Sequence, residues 1–293
     1  MAISFNGIGN NVRVPLTYIE FDNSGAVRGT PVMEWRVLLM GHPETDNTGE
    51  TLKPVLITSA DQAAGLWGRG SQIASMARMA LRNGNMLEMY CMAVPEDAAA
   101  VAAKGLVTLT GQCTVTGVVS LYIGGTRVRA KAVAGETLAT TAARLATAIN
   151  ADSTLPVTAV ASADNAGLIN LTCRWKGATG NALDVRLNYA SEDALPTGLR
   201  ASITAMSGGA ADPDMDQVVA KLGDTWWKAL VTPWVQKTER EQLEVWLDAQ
   251  FGPMRQQECQ AWGAYRGTLA ETSTYGNGGN SQLVSIMGVG KSP

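Results

Sequence analysis

The chain has 293 residues, a length that fits about two domains. Its apolar fraction of 46% can supply a core, its charged fraction is only 17%, and its net charge is −3. No Lys/Arg block stands out, so neither nucleic acid nor an acidic membrane surface is expected as a partner. No run reaches the ~20 apolar residues that a membrane-spanning helix needs, so we expect no membrane span.

Residues 1–31 are predicted to be an extended N-terminal arm rather than part of a globular domain. Apolar residues alternate along the stretch NNVRVPLTYIEF, as in a strand, but Pro15 interrupts it. Proline cannot donate to a sheet ladder, so this strand fits only at an edge. The alternating side chains are Val12, Val14, Leu16, Tyr18 and Phe21.

A strand–helix–strand pattern follows the arm. WRVLLMG at 35–41 predicts a buried strand, and LKPVLI at 52–57 predicts a second, short one. Ser59 and Ser71 stand where helix N-caps belong, before ADQAAGLW and QIASMARMALRN. MLEMYCMAV at 86–94 predicts a strand covered on both faces. Together, 52–57, the helices and 86–94 predict a parallel βαβ unit with a right-handed crossover.

The residue composition and pattern change between residues 105 and 207. Short Thr/Val-rich segments alternate with Gly and Asn turns, which predicts a β-rich domain. One helix, TAARLATAINA, interrupts them; Thr137 or Thr140 caps it, and Ala143, Leu145, Ala146 and Ile149 are predicted to face a sheet.

Predicted strands and helices alternate again after the linker-like SGGAADPD at 207–214. Strands are predicted in 226–234, 259–265 and 282–290, with helices at 240–252 and after Thr268. The predicted fold class is therefore α/β. Residues 32–104 and 208–293 form a discontinuous α/β sheet domain, and residues 105–207 form a small inserted β-rich (α+β) domain.

Candidate chemistry is sparse. His42 is the lone histidine, and its polar neighbours HPETDNTGET favour a solvated loop over a metal or general-base role. The four cysteines are widely spaced, without a CxxC pair, which predicts reduced core residues and no zinc site. No catalytic, metal-binding or cofactor-binding residue is predicted, so we expect no enzymatic activity and no cofactor.

The segment Gly68–Arg69–Gly70–Ser71 precedes a predicted helix, a place where phosphate can bind. It lacks the Lys-Ser/Thr of a P-loop and the third glycine of a dinucleotide fingerprint, so a tight turn between helices is favoured. The alternative is a small-molecule-binding or enzymatic α/β domain with a ligand near Gly68–Ser71.

The order of several long segments resembles the tail sheath proteins of Mu-like contractile bacteriophages and prophages. These segments span nearly the whole chain, and they are SFNGIGNNVRVPLTYIEFDNSGA, ITSADQAAGLWGRGSQIASMARMALRNGN, DTWWKALVTPW and AYRGTLAETSTYGNGGNSQLVSIMG. The resemblance implies a virion protein, assembled in the host cytoplasm, that polymerises with itself around the tail tube protein. Contraction of that polymer drives the tube through the host envelope, and the family carries no catalytic residues.

Two further expectations follow from the resemblance. Sheath proteins of this kind usually continue beyond the point where GVGKSP ends this chain, so we expect missing C-terminal segments and a monomer or weak oligomer in solution. Family subunits are linked by exchanged terminal arms, so residues 1–25 are expected to be an inter-subunit arm. The competing interpretation packs that strand permanently on its own domain.

Overall fold

The computed structural model describes residues 17, 19, 35–45, 47–83 and 88–290. The chain divides into two compact units, Met1–Glu34 and Trp35–Pro293, and every element given below belongs to the second. The five residues proposed for the arm lie outside the described residues. The arm therefore stays a prediction.

The elements alternate as an α/β chain, become β-rich, and alternate again. The strands are β1 (Arg36–Gly41), β2 (Val55–Leu56), β3 (Glu88–Ala93), β4 (Ala102–Gly111), β5 (Gly117–Ile123), β6 (Thr126–Ala132), β7 (Val157–Ala161), β8 (Leu168–Lys176), β9 (Val185–Leu187), β10 (Leu199–Ser207), β11 (Ala229–Val231), β12 (Gln260–Gly267) and β13 (Val284–Gly290). The α-helices are α1 (Ala60–Trp67), α2 (Gln72–Asn83), α3 (Leu138–Ala151), α4 (Met215–Val219), α5 (Lys237–Phe251) and α6 (Leu269–Asn277), and a 3-10 helix covers Ala178–Ala182.

Side-chain caps explain where the helices begin. The hydroxyl of Ser59 accepts from the amide of Gln62 at 3.2 Å, and that of Ser71 accepts from the amide of Ala74 at 3.1 Å. Thr137 caps α3, and Thr268 forms a reciprocal capping box with Glu271 at the start of α6. Each of these caps binds an amide that the helix itself leaves without a partner, and the capping predictions are confirmed.

Within the described residues the strands form three sheets, and the predicted α/β class is confirmed. The large sheet has the order β13-β12-β11-β1-β3-β2, so strands from both ends of the second unit share it. β1 lies parallel to β3 and to β11, and β11, β12 and β13 are also parallel.

The predicted parallel βαβ unit beginning at residues 52–57 is wrong, because β2 lies antiparallel to β3. After β1 the chain passes the carboxyl end of the sheet and returns there: the amide of Leu52 donates to the carbonyl of Ala93, the last residue of β3, at 2.8 Å. From that end the chain can only run back along β3. The parallel crossover therefore begins at β1, not at β2.

Helices cover the large sheet unequally. On one face, α1 and α2 pack on β1 and β3 through a core that includes Leu39, Cys91 and Trp67. On the opposite face, α4 and α5 pack over β1, β3, β11 and β12 through Leu38, Met40, Leu230 and Leu243. The side chains of β12 and β13 on the α1–α2 face have no helix above them among the described residues.

Residues 102–207 have a core of their own between two smaller antiparallel sheets, β10-β4-β8-β7 and β6-β5-β9, and α3. Leu145, Ala146 and Ile149 of α3 face this core as predicted, but Ala143 is exposed and Thr141 and Ala142 are buried in its place. We call residues 102–207 the β-rich region. Its standing as a separate domain, and the boundaries assigned above, stay predictions.

Candidate assembly surface

The large sheet has a switch point between β1 and β11. From β1 the chain crosses by α1 and α2 over one face to reach β3, and from β11 it crosses by α5 over the other face to reach β12. In open α/β sheets, small ligands bind in the crevice outside the carboxyl ends of strands at such a point. This crevice is therefore the first place to look for a ligand site.

Two buried side chains fill this crevice. The ring of His42, which follows β1, is 0% exposed, and that of Trp234, which follows β11, is 1% exposed. The rings meet edge to face at a centroid distance of 4.9 Å. Trp234 Nε1 donates to His42 Nε2 at 3.2 Å, and His42 Nδ1 lies 3.0 Å from the carbonyl of Val94.

This geometry determines the protonation state of His42. A carbonyl only accepts and an indole N–H only donates, so Nδ1 carries the proton and Nε2 accepts. Burial lowers the pKa of His42 below its usual value, an effect larger than the opposing influence of the Val94 carbonyl and the carboxylates of Glu96 and Asp212. A buried neutral ring with both nitrogens bound cannot exchange protons with a substrate.

The solvated-loop interpretation of His42 is consequently wrong. The neighbouring polar residues in the sequence suggested a surface loop, but the partners of the ring come from the residue that follows β3 and from beyond β11. His42 and Trp234 are 192 residues apart in the chain, so no local pattern indicates their contact.

Residues 68–71 form the tight turn predicted between two helices, and the chain itself supplies an anion there. The carboxylate of Glu44 accepts from the amide of Gly70 at 3.0 Å, and its Oε1 lies 3.7 Å from Arg174 of β8. A Cβ at Gly68 would lie 2.3 Å from the Glu44 carboxylate, which leaves no room beside it. The place where a ligand phosphate would bind is therefore occupied.

The open part of the large sheet lies at its other end. β13 is the terminal strand, and among the described residues it pairs only with β12. Met287 and Val289 of β13 are 68% and 40% exposed, and Trp262 of β12 is 47% exposed. An edge strand offers unpaired amides and carbonyls along its length, and an added strand can bind them.

A groove of about 1180 Å³ lies beside this edge. Its floor is the uncovered face of β11, β12 and β13, with Val231, Trp262 and Met287. Met76 of α2 lines one wall, and residues 178–186 of the β-rich region line the other. We call β13, this groove and the exposed face of β12 the open edge. Apolar area exposed in one continuous patch is typical of an interaction site.

The open edge was not predicted as a site. The sequence predicts strands in 259–265 and 282–290, but the interaction residues predicted from it lie in the N-terminal arm alone. The available signal was the alternation of Ser285, Met287 and Val289 along β13, which was interpreted as part of an apolar strand.

Other kinds of site find no support in the described part of the chain. No group of three or more His, Cys, Asp and Glu residues there could hold a metal ion. No described helix is long and apolar enough to cross a membrane. All four cysteines are buried free thiols, as predicted.

The whole chain is similar to one curated protein. It is 37% identical over 293 residues to the Mu-like prophage FluMu tail sheath protein of Haemophilus influenzae, an alignment that covers 100% of this chain and 60% of that relative. This chain is a homologue of a Mu-like prophage tail sheath protein. The predicted resemblance is confirmed, and this chain spans less than two thirds of the relative it matches.

Two solved structures, both described as sheath tail proteins, match this chain at low identity. The sheath tail protein of Listeria innocua matches at 11% identity with a TM-score of 0.31, covering 80% of this chain and 48% of its own. That of Desulfitobacterium hafniense matches at 12% identity with a TM-score of 0.35, covering 92% and 55%. No family model matches the chain.

Proposed function

We propose that this chain is a structural subunit of a contractile phage tail sheath. In this role it polymerises with copies of itself around the tail tube protein in the virion, and contraction of the polymer drives the tube through the host envelope. The observation that carries the proposal is the 37% identity to a tail sheath protein along the whole chain. The role needs no cofactor and no catalytic step.

The open edge supports assembly through strand addition. β13 has no outer neighbour among the described residues, and an extended segment laid along it would gain main-chain hydrogen bonds. Alternate side chains of that segment would meet Met287 and Trp262 in the groove. The proposed occupant is residues 1–31 of a neighbouring copy, in which Val12, Val14, Leu16 and Tyr18 alternate as such a strand requires and Phe21 follows them.

A ligand-binding or enzymatic function has no comparable support. His42 and Trp234 fill the crevice where an α/β sheet would bind a small molecule, and the Glu44 carboxylate occupies the anion position at Gly70. Neither position is left for a substrate. The ligand-binding alternative near Gly68–Ser71 is therefore not proposed.

Photo-crosslinking tests the strand-addition step. A photoreactive benzoylphenylalanine replaces Met287, and ¹⁴N- and ¹⁵N-labelled copies are mixed so that mass spectrometry separates crosslinks between copies from those within one copy. We expect crosslinks between copies, ending in residues 1–31. The matched control carries the same probe at Val245 of α5, which is 71% exposed on a different element.

Deleting residues 2–22 is the complementary test. The crosslinks and self-association in sedimentation velocity should disappear, while the melting temperature stays nearly unchanged. Crosslinks only within one copy, or a melting temperature many degrees lower, would show instead that the arm belongs to its own core. Cryo-electron microscopy of tails that contain this protein should locate it in the layer around the tube; any other location would contradict the sheath proposal.

A further inference from the structure

Two connections join the large sheet to the β-rich region, and both form hydrogen bonds to the turn at residues 176–178. Residues 94–101 lead from β3 into β4, and residues 208–214 lead from β10 to α4. Glu96 of the first connection accepts from the amide of Lys176 at 2.9 Å, and Asp212 of the second accepts from the amide of Ala178 at 2.8 Å. We call this arrangement the joint.

His42 lies at the centre of the joint. Its Nδ1 donates to the carbonyl of Val94, the first residue of one connection. Gly177, at a φ of 119°, packs against the ring from the β-rich side: a Cβ there would lie 3.4 Å from His42 Nε2 and 3.1 Å from the Asp212 carboxylate. On the side of the large sheet, Trp234 Nε1 donates to His42 Nε2 at 3.2 Å. The neutral ring thus connects elements of both parts.

We propose that His42 is an acid-sensitive latch: when its ring takes up a proton, the joint opens and the β-rich region is released from the carboxyl end of the large sheet. The added proton is carried by Nε2, where it points at the indole N–H of Trp234, another donor with no acceptor to offer. A ring that is 0% exposed cannot turn to water without the surrounding elements separating. The charged ring is therefore compatible only with an opened joint.

The charges around the ring do not cancel this effect. Glu96 and Asp212 are the carboxylates that face His42, and both favour the charged ring, but burial outweighs them. Glu96 already pairs with Lys176 at 3.4 Å. Burial raises the pKa of Asp212, and burial, with a smaller contribution from the Asp212 carboxylate, raises the pKa of Glu239.

The direction of the pH dependence follows from linkage. The pKa of His42 is lower in the closed joint than the ~6.5 of a free ring, so the open form binds more protons. The closed joint is fully stable above the pKa of the free ring and loses stability as the pH falls below it, by at most about a factor of ten in the opening equilibrium per pH unit. The raised pKa of Asp212 has the opposite effect on the pH dependence, and this effect remains in a variant in which only the imidazole is removed.

Hydrogen exchange on the intact chain tests the latch. Amide exchange, corrected for the intrinsic effect of pH on the chemical rate, is compared at pH 7.5 and pH 5.5. After this correction, peptides covering 94–101, 174–180 and 208–214 should exchange faster at the lower pH, by up to about tenfold. Peptides from β5 and β6, inside the β-rich region, should keep their protection. In His42→Gln, which cannot titrate there, the faster exchange at the joint at pH 5.5 should be lost.

The wild-type protein supplies a second readout that requires no variant. His42 is the only histidine, so a selectively labelled sample gives one imidazole signal. That signal should stay in the Nδ1–H neutral form in the closed protein, and the charged form should appear together with faster exchange at the joint. A ring that titrates with an ordinary pKa while the joint stays protected would overturn the proposal. Equal loss of protection in β5 and β6, or an unchanged pH effect in His42→Gln, would overturn it as well.

Discussion

A methyl group added at Gly70 should destabilise the fold, while the same group at Gly65 should stabilise it. Gly70, in the turn before α2, packs against the β-rich region: a Cβ there would lie 2.6 Å from the carbonyl oxygen of Leu155 and 2.5 Å from Arg174 Cδ. Gly65 lies on the exposed side of α1, where a Cβ would meet nothing within 4 Å. The two positions offer the same substitution with opposite physical consequences.

The expected sizes follow from packing and helix propensity. Overpacking costs about 1–3 kcal/mol, so Gly70→Ala should lower the free energy of unfolding by that amount. Glycine inside a helix costs about 0.5–1 kcal/mol relative to alanine, so Gly65→Ala should raise it correspondingly. At about 2–4 °C per kcal/mol, the melting temperature should fall by roughly 2–12 °C in the first variant and rise by roughly 1–4 °C in the second.

Scanning calorimetry at pH 7.5, with urea unfolding as a second measurement, gives both changes. If Gly70→Ala melts at the wild-type temperature or above it, the turn between α1 and α2 does not pack against β8 as described. The result also bears on the ligand interpretation of residues 68–71. A glycine required by close packing needs no phosphate to explain it.

Two further outcomes are expected. Leu145→Ala, at a fully buried position of α3, should cost about 2–5 kcal/mol in urea unfolding, whereas Leu269→Ala, 84% exposed on α6, should change stability by less than about 0.5 kcal/mol; equal effects would contradict the assigned core. Iodoacetamide at pH 8 should leave the four thiols of the native protein unmodified, as judged by mass spectrometry, and should label all four in urea. Burial blocks access to the thiols and raises the pKa of Cys91, Cys173 and Cys259 to about 12, so labelling of the native protein would contradict their burial.

Local signals were sufficient for the helices. Ser59, Thr137 and Thr268 indicated where helices begin because a cap and the amide it binds lie within a few residues of each other. The alternation of apolar residues likewise indicated most strands of the β-rich region. The error at Ala143 is small, since a helix buries a stripe whose edge shifts with tertiary packing.

Structural features that depend on residues far apart in the chain could not be predicted from local sequence patterns. The antiparallel direction of β2 depends on a hydrogen bond to Ala93, and a two-residue strand carries no pattern that shows direction. His42 was assigned to solvent because its neighbours are polar, while its burial depends on Trp234. The open edge depends on which strand ends the sheet and on where the covering helices stop, and neither is a property of a local stretch.

The position of β11 in the large sheet has a consequence for the order of folding. β1 and β3 leave the ribosome long before β11, whose neighbour Trp234 lies 192 residues after His42. At about 5–20 residues per second, that separation corresponds to roughly 10–40 s of synthesis. The hairpins β5–β6 and β7–β8 pair locally and can form meanwhile, while Leu38 and Met40 remain without their final cover. A nascent chain held at that stage is a natural substrate for a chaperone that shields apolar strands.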